Sequence, residues 1–265
     1  MSRITIGQYY PTNSIVHRID PRVKLVATFA HITVLLFINN FIGYGFVALY
    51  VIAVIKLSNV PPRLLLRGLR AILFMLMFAV IINLFLAPGE NIIIQLWFLR
   101  ITTEGVLLAL QMAARITLLI LGSSILTLTT SPIQLTDGIE SLLRPLKIIK
   151  VPAHDIAMMM TIALRFIPTL ADEMDKIIKA QKARGADFES GGPMKRGRSL
   201  LPILVPLFVS AFKRADELAT AMESRCYRGD AGRTKMKAMK MAITDWITVG
   251  AVGVISSLIV LTRML

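Results

Sequence analysis

Thiol chemistry is almost missing from this chain. Cys226 is the one cysteine in 265 residues, so no internal disulfide can form and nothing demands an oxidising compartment. Histidine occurs three times, with neither a His-Glu-x-x-His run nor Cys/His ligand spacing, and no metal site is expected. Paired-carboxylate prenyltransferase motifs and a nucleophile elbow are absent as well. The one near match to a phosphate-binding loop, Gly192 to Ser199, has Arg198 where lysine is required, a badly placed Pro193 and no preceding strand. Catalysis and a bound cofactor are therefore not expected. Acidic residues are also scarce, 16 against 30 lysines and arginines, for a net charge of +14.

What is present in quantity is hydrocarbon. Apolar residues make up 55% of the chain and charged ones only 17%, which conflicts with so high a net charge unless the charge is segregated. It is segregated: apolar runs alternate with basic clusters, the pattern of a polytopic membrane protein, and a lipid bilayer rather than nucleic acid is the expected partner surface. Met1 to Pro11 lacks the basic-then-apolar order of a cleaved signal, so the first apolar run is expected to be a retained span.

Asp20 and Pro21 predict a helix start, as N-cap and first helical residue. Apolar runs follow at about Val23–Ile38, Phe41–Leu57, Ala71–Ala87 and Gly105–Thr130, with a last one at about Met241–Leu261. The first two are short for a span of ~20 residues, which predicts a tight pair in a locally thin region. Pro88-Gly89-Glu90 reads as a turn, and Asn91–Glu104 as an interfacial segment or strand-like loop with Trp97 at headgroup depth. Inside the spans, Arg115 reads as a structural pair or carbonyl contact, against the alternative of a functional charge at membrane depth. His31 reads as a neutral packing residue.

Lysine and arginine number four up to Lys24, four from Lys56 to Arg70 and 19 from Ser131 to Lys240, but only Arg100 falls within Asn91–Glu104. The positive-inside rule then puts the N-terminus and the large polar region in the cytoplasm, gives five spans, and leaves the C-terminus external. The expected division is 1–130 with the lead-in and four spans, 131–240 as a cytoplasmic helical region, and 241–265 as the last span.

Within the polar region, Asp155–Arg184 has no charge-free stretch long enough to cross a bilayer. Its apolar positions, Met160, Ala163, Ile167 and Leu170 among them, step by four and three along one helical stripe. At ~1.5 Å per residue that helix is about 45 Å long, and Pro168 should kink it. A second segment repeats the pattern with Leu204, Phe208 and Ala211, after Pro202 and Pro206. Two core helices of a cytoplasmic domain would satisfy this pattern. So would two long helices crossing beneath the spans, their apolar faces forming a platform. Between them, Ala186–Arg198 is a basic, glycine-rich loop. Met158-Met159-Met160 suits either a core or a surface that repacks against different partners.

Each segment closes on an arginine flanked by small residues: Ala183-Arg184-Gly185 and Ser224-Arg225-Cys226. Asp175 and Ala180 precede Arg184 as Asp216 and Ala221 precede Arg225, which reads as a duplicated helix end. One arginine at a helix C-terminus needs only the helix dipole to explain it. Two, similarly placed, suggest two like sockets on a two-fold partner, each holding a carboxylate for bidentate pairing. Cys226 itself reads as a small helix-end residue rather than a redox thiol.

With these tripeptides and the lead-in His17-Arg18-Ile19-Asp20-Pro21-Arg22-Val23-Lys24, the chain resembles, over essentially its whole length, the transmembrane T component, EcfT, of energy-coupling factor transporters. The family motif is Ala-Arg-Gly at both tips; the first matches outright and the second keeps only Arg225. The resemblance implies an all-α membrane protein of about five transmembrane helices with a cytoplasmic domain of long crossed coupling helices. It implies no catalysis and no cofactor of its own. The partners it implies are two ABC-type ATPase subunits that bind the ATP, one per arginine tip, and a membrane-embedded substrate-binding S component, with vitamins or metal ions as cargo. A stand-alone substrate-carrying permease is the alternative, and would need polar residues converging at the bilayer midplane.

Overall fold

The structure is a computed structural model that describes residues 9–86, 92–96, 99–186, 188, 192, 194, 197, 199–229 and 241–261. The expected turn at Pro88-Gly89-Glu90, the placement of Trp97, most of the loop at 186–198 and the basic flanks of the last span lie outside the described residues.

A one-turn helix α1 (Ile15–Arg18) leads into α2 (Pro21–Phe37), α3 (Phe41–Ser58) and α4 (Pro62–Leu86). A two-stranded antiparallel hairpin follows, β1 (Ile92–Leu96) and β2 (Leu99–Thr102), and feeds α5 (Thr103–Thr129). Next come α6 (Pro132–Leu143), a 3₁₀ turn (Arg144–Ile149), the long α7 (Ala153–Ala183), α8 (Leu201–Ser224) and α9 (Ile243–Leu261). The described structure is thus helical throughout apart from the hairpin, which takes up the segment read as strand-like.

The chain divides into two compact units. One contains residues 7–142 and 238–265, the other residues 143–237. Residues Pro132–Leu142 of α6 therefore group with the spanning helices. There Gly138 lets α6 approach α2, since a Cβ at that position would lie 3.1 Å from Leu25 Cδ1 and 3.2 Å from Pro21.

Helices α3, α4 and α5 are long and apolar enough to cross a membrane, and the protein is a multi-pass membrane protein. Helix α2 has 17 residues, and α9 is a shorter apolar helix over Ile243–Ile259. Helix α4 begins at Pro62 rather than near Ala71, because Arg63, Arg67 and Arg70 are good helix formers and simply extend the apolar run backwards. In lipid, helices gain little from hydrophobic burial against one another, so packing and hydrogen bonds specify the bundle. Its core joins Val34, Leu35, Tyr44, Val47, Val51, Leu118, Ile125, Leu128 and Ile259 from α2, α3, α5 and α9.

Polar residues pin this bundle at three places. At the first, Asp20 caps α2 by accepting the Arg22 N–H at 2.9 Å, as its position before Pro21 predicts. Its own N–H donates to Asp245 Oδ1 at 2.8 Å, and Asp245 Oδ2 accepts the Ala242 N–H, so one carboxylate ties the start of α9 to the start of α2. Lys24 completes the knot by donating to the carbonyls of His17 and Thr129 at 3.2 and 3.0 Å. Asp245, Asp20 and Lys24 are all buried.

At the second, Arg115 reaches from α5 to the end of α2, donating to the Ile38 carbonyl at 2.7 Å and to Tyr44 Oη at 3.0 Å. That is the carbonyl contact expected of it, and it places a cation where the α2 dipole favours one. At the third, His31 bonds the Leu118 carbonyl at 3.1 Å, so its Nε2 carries the proton. The imidazole lies over Gly122, where a Cβ would be 2.3 Å from Nε2. His31 is thus a buried packing residue with one specified bond.

In the lead-in, Ser14 caps α1 and meets His17 Nδ1 at 2.7 Å, while His17 Nε2 donates to the Tyr10 carbonyl at 3.0 Å.

Candidate functional site

Helix α7 forms because its apolar residues keep helical spacing over 31 residues and Asp155 sits favourably in its first turn. It continues as one helix through Pro168, and α8 does the same through Pro206. Each proline removes one backbone hydrogen bond from its helix.

The two helices end in the same way. Arg184 is the C-cap of α7, Gly185 follows at φ +86, the Gly185 N–H bonds the Lys182 carbonyl at 3.0 Å and the Ala186 N–H bonds Gln181 at 3.0 Å. Arg225 is the C-cap of α8, Cys226 follows at φ +56, the Cys226 N–H bonds Glu223 at 2.8 Å and the Tyr227 N–H bonds Met222 at 3.0 Å. Both are Schellman caps, with the 6→1 and 5→2 bonds in place. The duplicated spacing in the sequence is thus a duplicated geometry. Cys226 stands in the left-handed conformation that glycine occupies at the first tip, at the cost of its Cβ.

Ala183, Arg184, Gly185, Ser224, Arg225 and Cys226 are all exposed. Among the described residues neither guanidinium is paired, so both cations are free to meet an outside carboxylate. The Ser224 hydroxyl is turned inward onto the Thr220 carbonyl of its own helix.

Contacts between the helices fix their sense. Glu173 on α7 accepts from the Ser210 hydroxyl and pairs with Arg214 at 3.2 Å on α8. Tyr227, just past the end of α8, donates to Met158 Sδ near the start of α7 at 3.1 Å. As α8 advances from Arg214 to Tyr227, its partner residue falls back from Glu173 to Met158, so the two helices run in opposite directions. Arg184 and Arg225 therefore lie at opposite ends of the pair. Each is eleven residues beyond the Glu173–Arg214 contact, or about 16 Å of helix. Sequence reading missed this ion pair, although the signal was available: Glu173 and Arg214 stand at the same offset as the two arginine tips.

The Glu173 carboxyl is held below the usual glutamate range, chiefly by the Ser210 hydrogen bond and further by the Arg214 charge, against the opposing effect of desolvation.

Of the stripe residues, Met160, Ala163, Ile167, Leu204 and Phe208 are exposed, and Leu170 and Ala211 are half-buried. The buried or half-buried positions of α8 are Ile203, Leu207, Ser210, Ala211, Arg214, Leu218 and Met222. The Leu204–Phe208 line lies beside that seam and joins Leu201, Val205, Val209 and Phe212 in a broad exposed apolar face, with Phe208 61% and Phe212 71% accessible. The reason is that α8 carries apolar residues on two sides, and one stripe of alternating spacing cannot say which side meets α7.

A cavity of about 20 Å³ lies among the spans, lined by His31, Tyr50 and Ser256 with apolar neighbours. That is room for one water, not for cargo. His31 and Arg115 are committed to backbone carbonyls rather than converging on it together.

A family described as CbiQ, cobalt transport protein, matches residues 12–236. Among curated relatives, a Ruminiclostridium cellulolyticum protein is 54% identical over 97% of this chain and 96% of its own length. One from Thermosediminibacter oceani is 51% identical over the whole of both chains. One from Bacillus subtilis is 44% identical over 100% of this chain and 98% of its own. Each of the three carries the name energy-coupling factor transporter transmembrane protein EcfT.

Proposed function

This chain belongs to the family of energy-coupling factor transporter transmembrane proteins, and on that premise we propose that it couples two cytoplasmic ABC-type ATPases to a membrane-embedded substrate-binding subunit. It is a transport component without catalysis of its own. Five spans, a cytoplasmic N-terminus and coupling region and an external C-terminus complete the reading, with residues 1–130, 131–240 and 241–265 as its sections.

The observation that carries the proposal is the pair of matched caps. Two exposed arginines, unpaired among the described residues and each held at the end of a helix by the same two backbone bonds, sit at opposite ends of oppositely running helices. Two copies of one ATPase, related by a two-fold axis, offer two like sockets to such a pair. A guanidinium entering each socket meets a carboxylate bidentately, so that movement of one ATPase against the other is delivered to α7 and α8 together. The exposed apolar face around Met160, Ala163, Ile167 and Leu204, Phe208 is the surface for the substrate-binding subunit. Cargo, a vitamin or a metal ion such as cobalt, belongs to that partner.

Replacing Arg184 and Arg225 together by alanine tests the reading. Membrane insertion should be unchanged, while co-purification of the ATPases and ATP-driven uptake should fall by far more than with either single change. Lysine should restore little, because it lacks the planar fork. A double variant that binds both ATPases and supports uptake at the normal rate would show these tips to be ordinary helix ends.

A further inference from the structure

We propose that the groove between α1 and the last turn of α3 is a binding site for the phosphate headgroup of an anionic phospholipid. The groove encloses about 370 Å³ and is lined by Arg18, Lys56, Asn59, Ile15 and Leu57, together with Asn13 and Ser14.

Arg18 and Lys56 come from different helices and are both exposed. Among the described residues neither is paired, and no carboxylate lines the groove. Two cations facing one cavity without a counter-charge repel each other, and an anion between them removes that repulsion. The dipole of α3 accounts for a lysine in its last turn. It does not account for Arg18, whose helix is one turn long.

Depth and the apolar part of the wall choose the anion. Helix α3 is one of the spans, so its last turn lies at headgroup level. Beside the two cations, Ile15 and Leu57 present exposed apolar side chains, 61% and 52% accessible. Cation and hydrocarbon side by side at the membrane edge match a phosphodiester with its acyl chains, and suit free phosphate poorly. Basic pockets on the flank of spanning helices bind lipid headgroups on this principle.

The test uses the full-length chain in uncharged detergent, titrated with phosphatidylglycerol or phosphatidylcholine and read by native mass spectrometry. Phosphatidylglycerol should be retained and phosphatidylcholine lost. Each cation contributes about fivefold, so Lys56→Gln alone should weaken retention about fivefold and Arg18→Gln with Lys56→Gln about 25-fold. A control pair of exposed cations on α4, Arg63→Gln with Arg67→Gln, should have little effect. Inorganic phosphate at the same concentration should not displace the lipid. Equal weakening by the control pair, an unchanged affinity in both Arg18/Lys56 variants, or displacement by inorganic phosphate would each overturn the proposal.

Discussion

Glu173 and Arg214 pair at 3.2 Å at equivalent positions of the two duplicated segments, each eleven residues before its arginine tip. The contact therefore lies midway between the two tips of the α7/α8 pair, and its charge can be removed without touching either end. Because the folded state holds the Glu173 carboxyl low, its contribution is complete above the ordinary glutamate range. It is lost as pH falls through the depressed value. Glu173→Gln should weaken uptake coupling at neutral pH and flatten the acid limb of thermal stability. An acid limb unchanged by Glu173→Gln would mean that this pair does not carry it.

The second cap is strained where the first is not. A non-glycine residue in the left-handed region costs ~1–2 kcal/mol, part of which glycine gives back through the freedom of its unfolded chain. Cys226→Gly should therefore raise the thermal midpoint of unfolding slightly, and Cys226→Val should lower it. If valine proves as stable as cysteine, Cys226 does not hold the positive φ in solution.

Gly122 and His31 form a coupled pair within the bundle. A Cβ at residue 122 would stand 2.3 and 2.4 Å from His31 Nε2 and Cδ2, so Gly122→Ala must push the ring away from the Leu118 carbonyl, at ~1–3 kcal/mol for an overpacked site. His31→Ala should cancel most of that loss in the double variant. Additive losses in a double-variant cycle would show that the two residues do not touch.

Ile167 separates partner binding from folding. It is exposed in the isolated chain, so Ile167→Glu should leave the chain's own melting unchanged. Buried against a membrane partner, the same carboxylate would be unpaired and costly, and co-purification of the substrate-binding subunit should fall at least tenfold. Full assembly by Ile167→Glu would remove this residue from the platform.

Local signals made much of the fold legible in advance. Asp20-Pro21 marks a helix start because the cap and the proline act within one turn, and the arginine tripeptides mark helix ends for the same reason. Arg115 was readable because an isolated cation in hydrocarbon must find an acceptor. What escaped was non-local or two-sided. Asp245 meets Asp20 across 225 residues, and nothing near either residue announces the other. Helix α6 lay hidden in a region read only for its charge. The inward face of α8 was ambiguous because both of its sides are apolar.

Arg115 also sets a level. Lys24 bonds the Thr129 carbonyl, Ile38 accepts from Arg115 and Asn39 accepts from Gln111 at 2.9 Å, so α2 and the turn after it run alongside α5 from Thr129 back to Gln111. The remaining stretch of α5, Thr103 to Leu110, continues about 12 Å past the turn at Asn39. One side of this bundle is thus markedly shorter than the other. A bilayer of uniform thickness meets a mismatch there, which tilt of α5 or local thinning beside the α2–α3 turn takes up. That offset is set by Arg115, half-way along the longest span, together with Gln111 one turn further on.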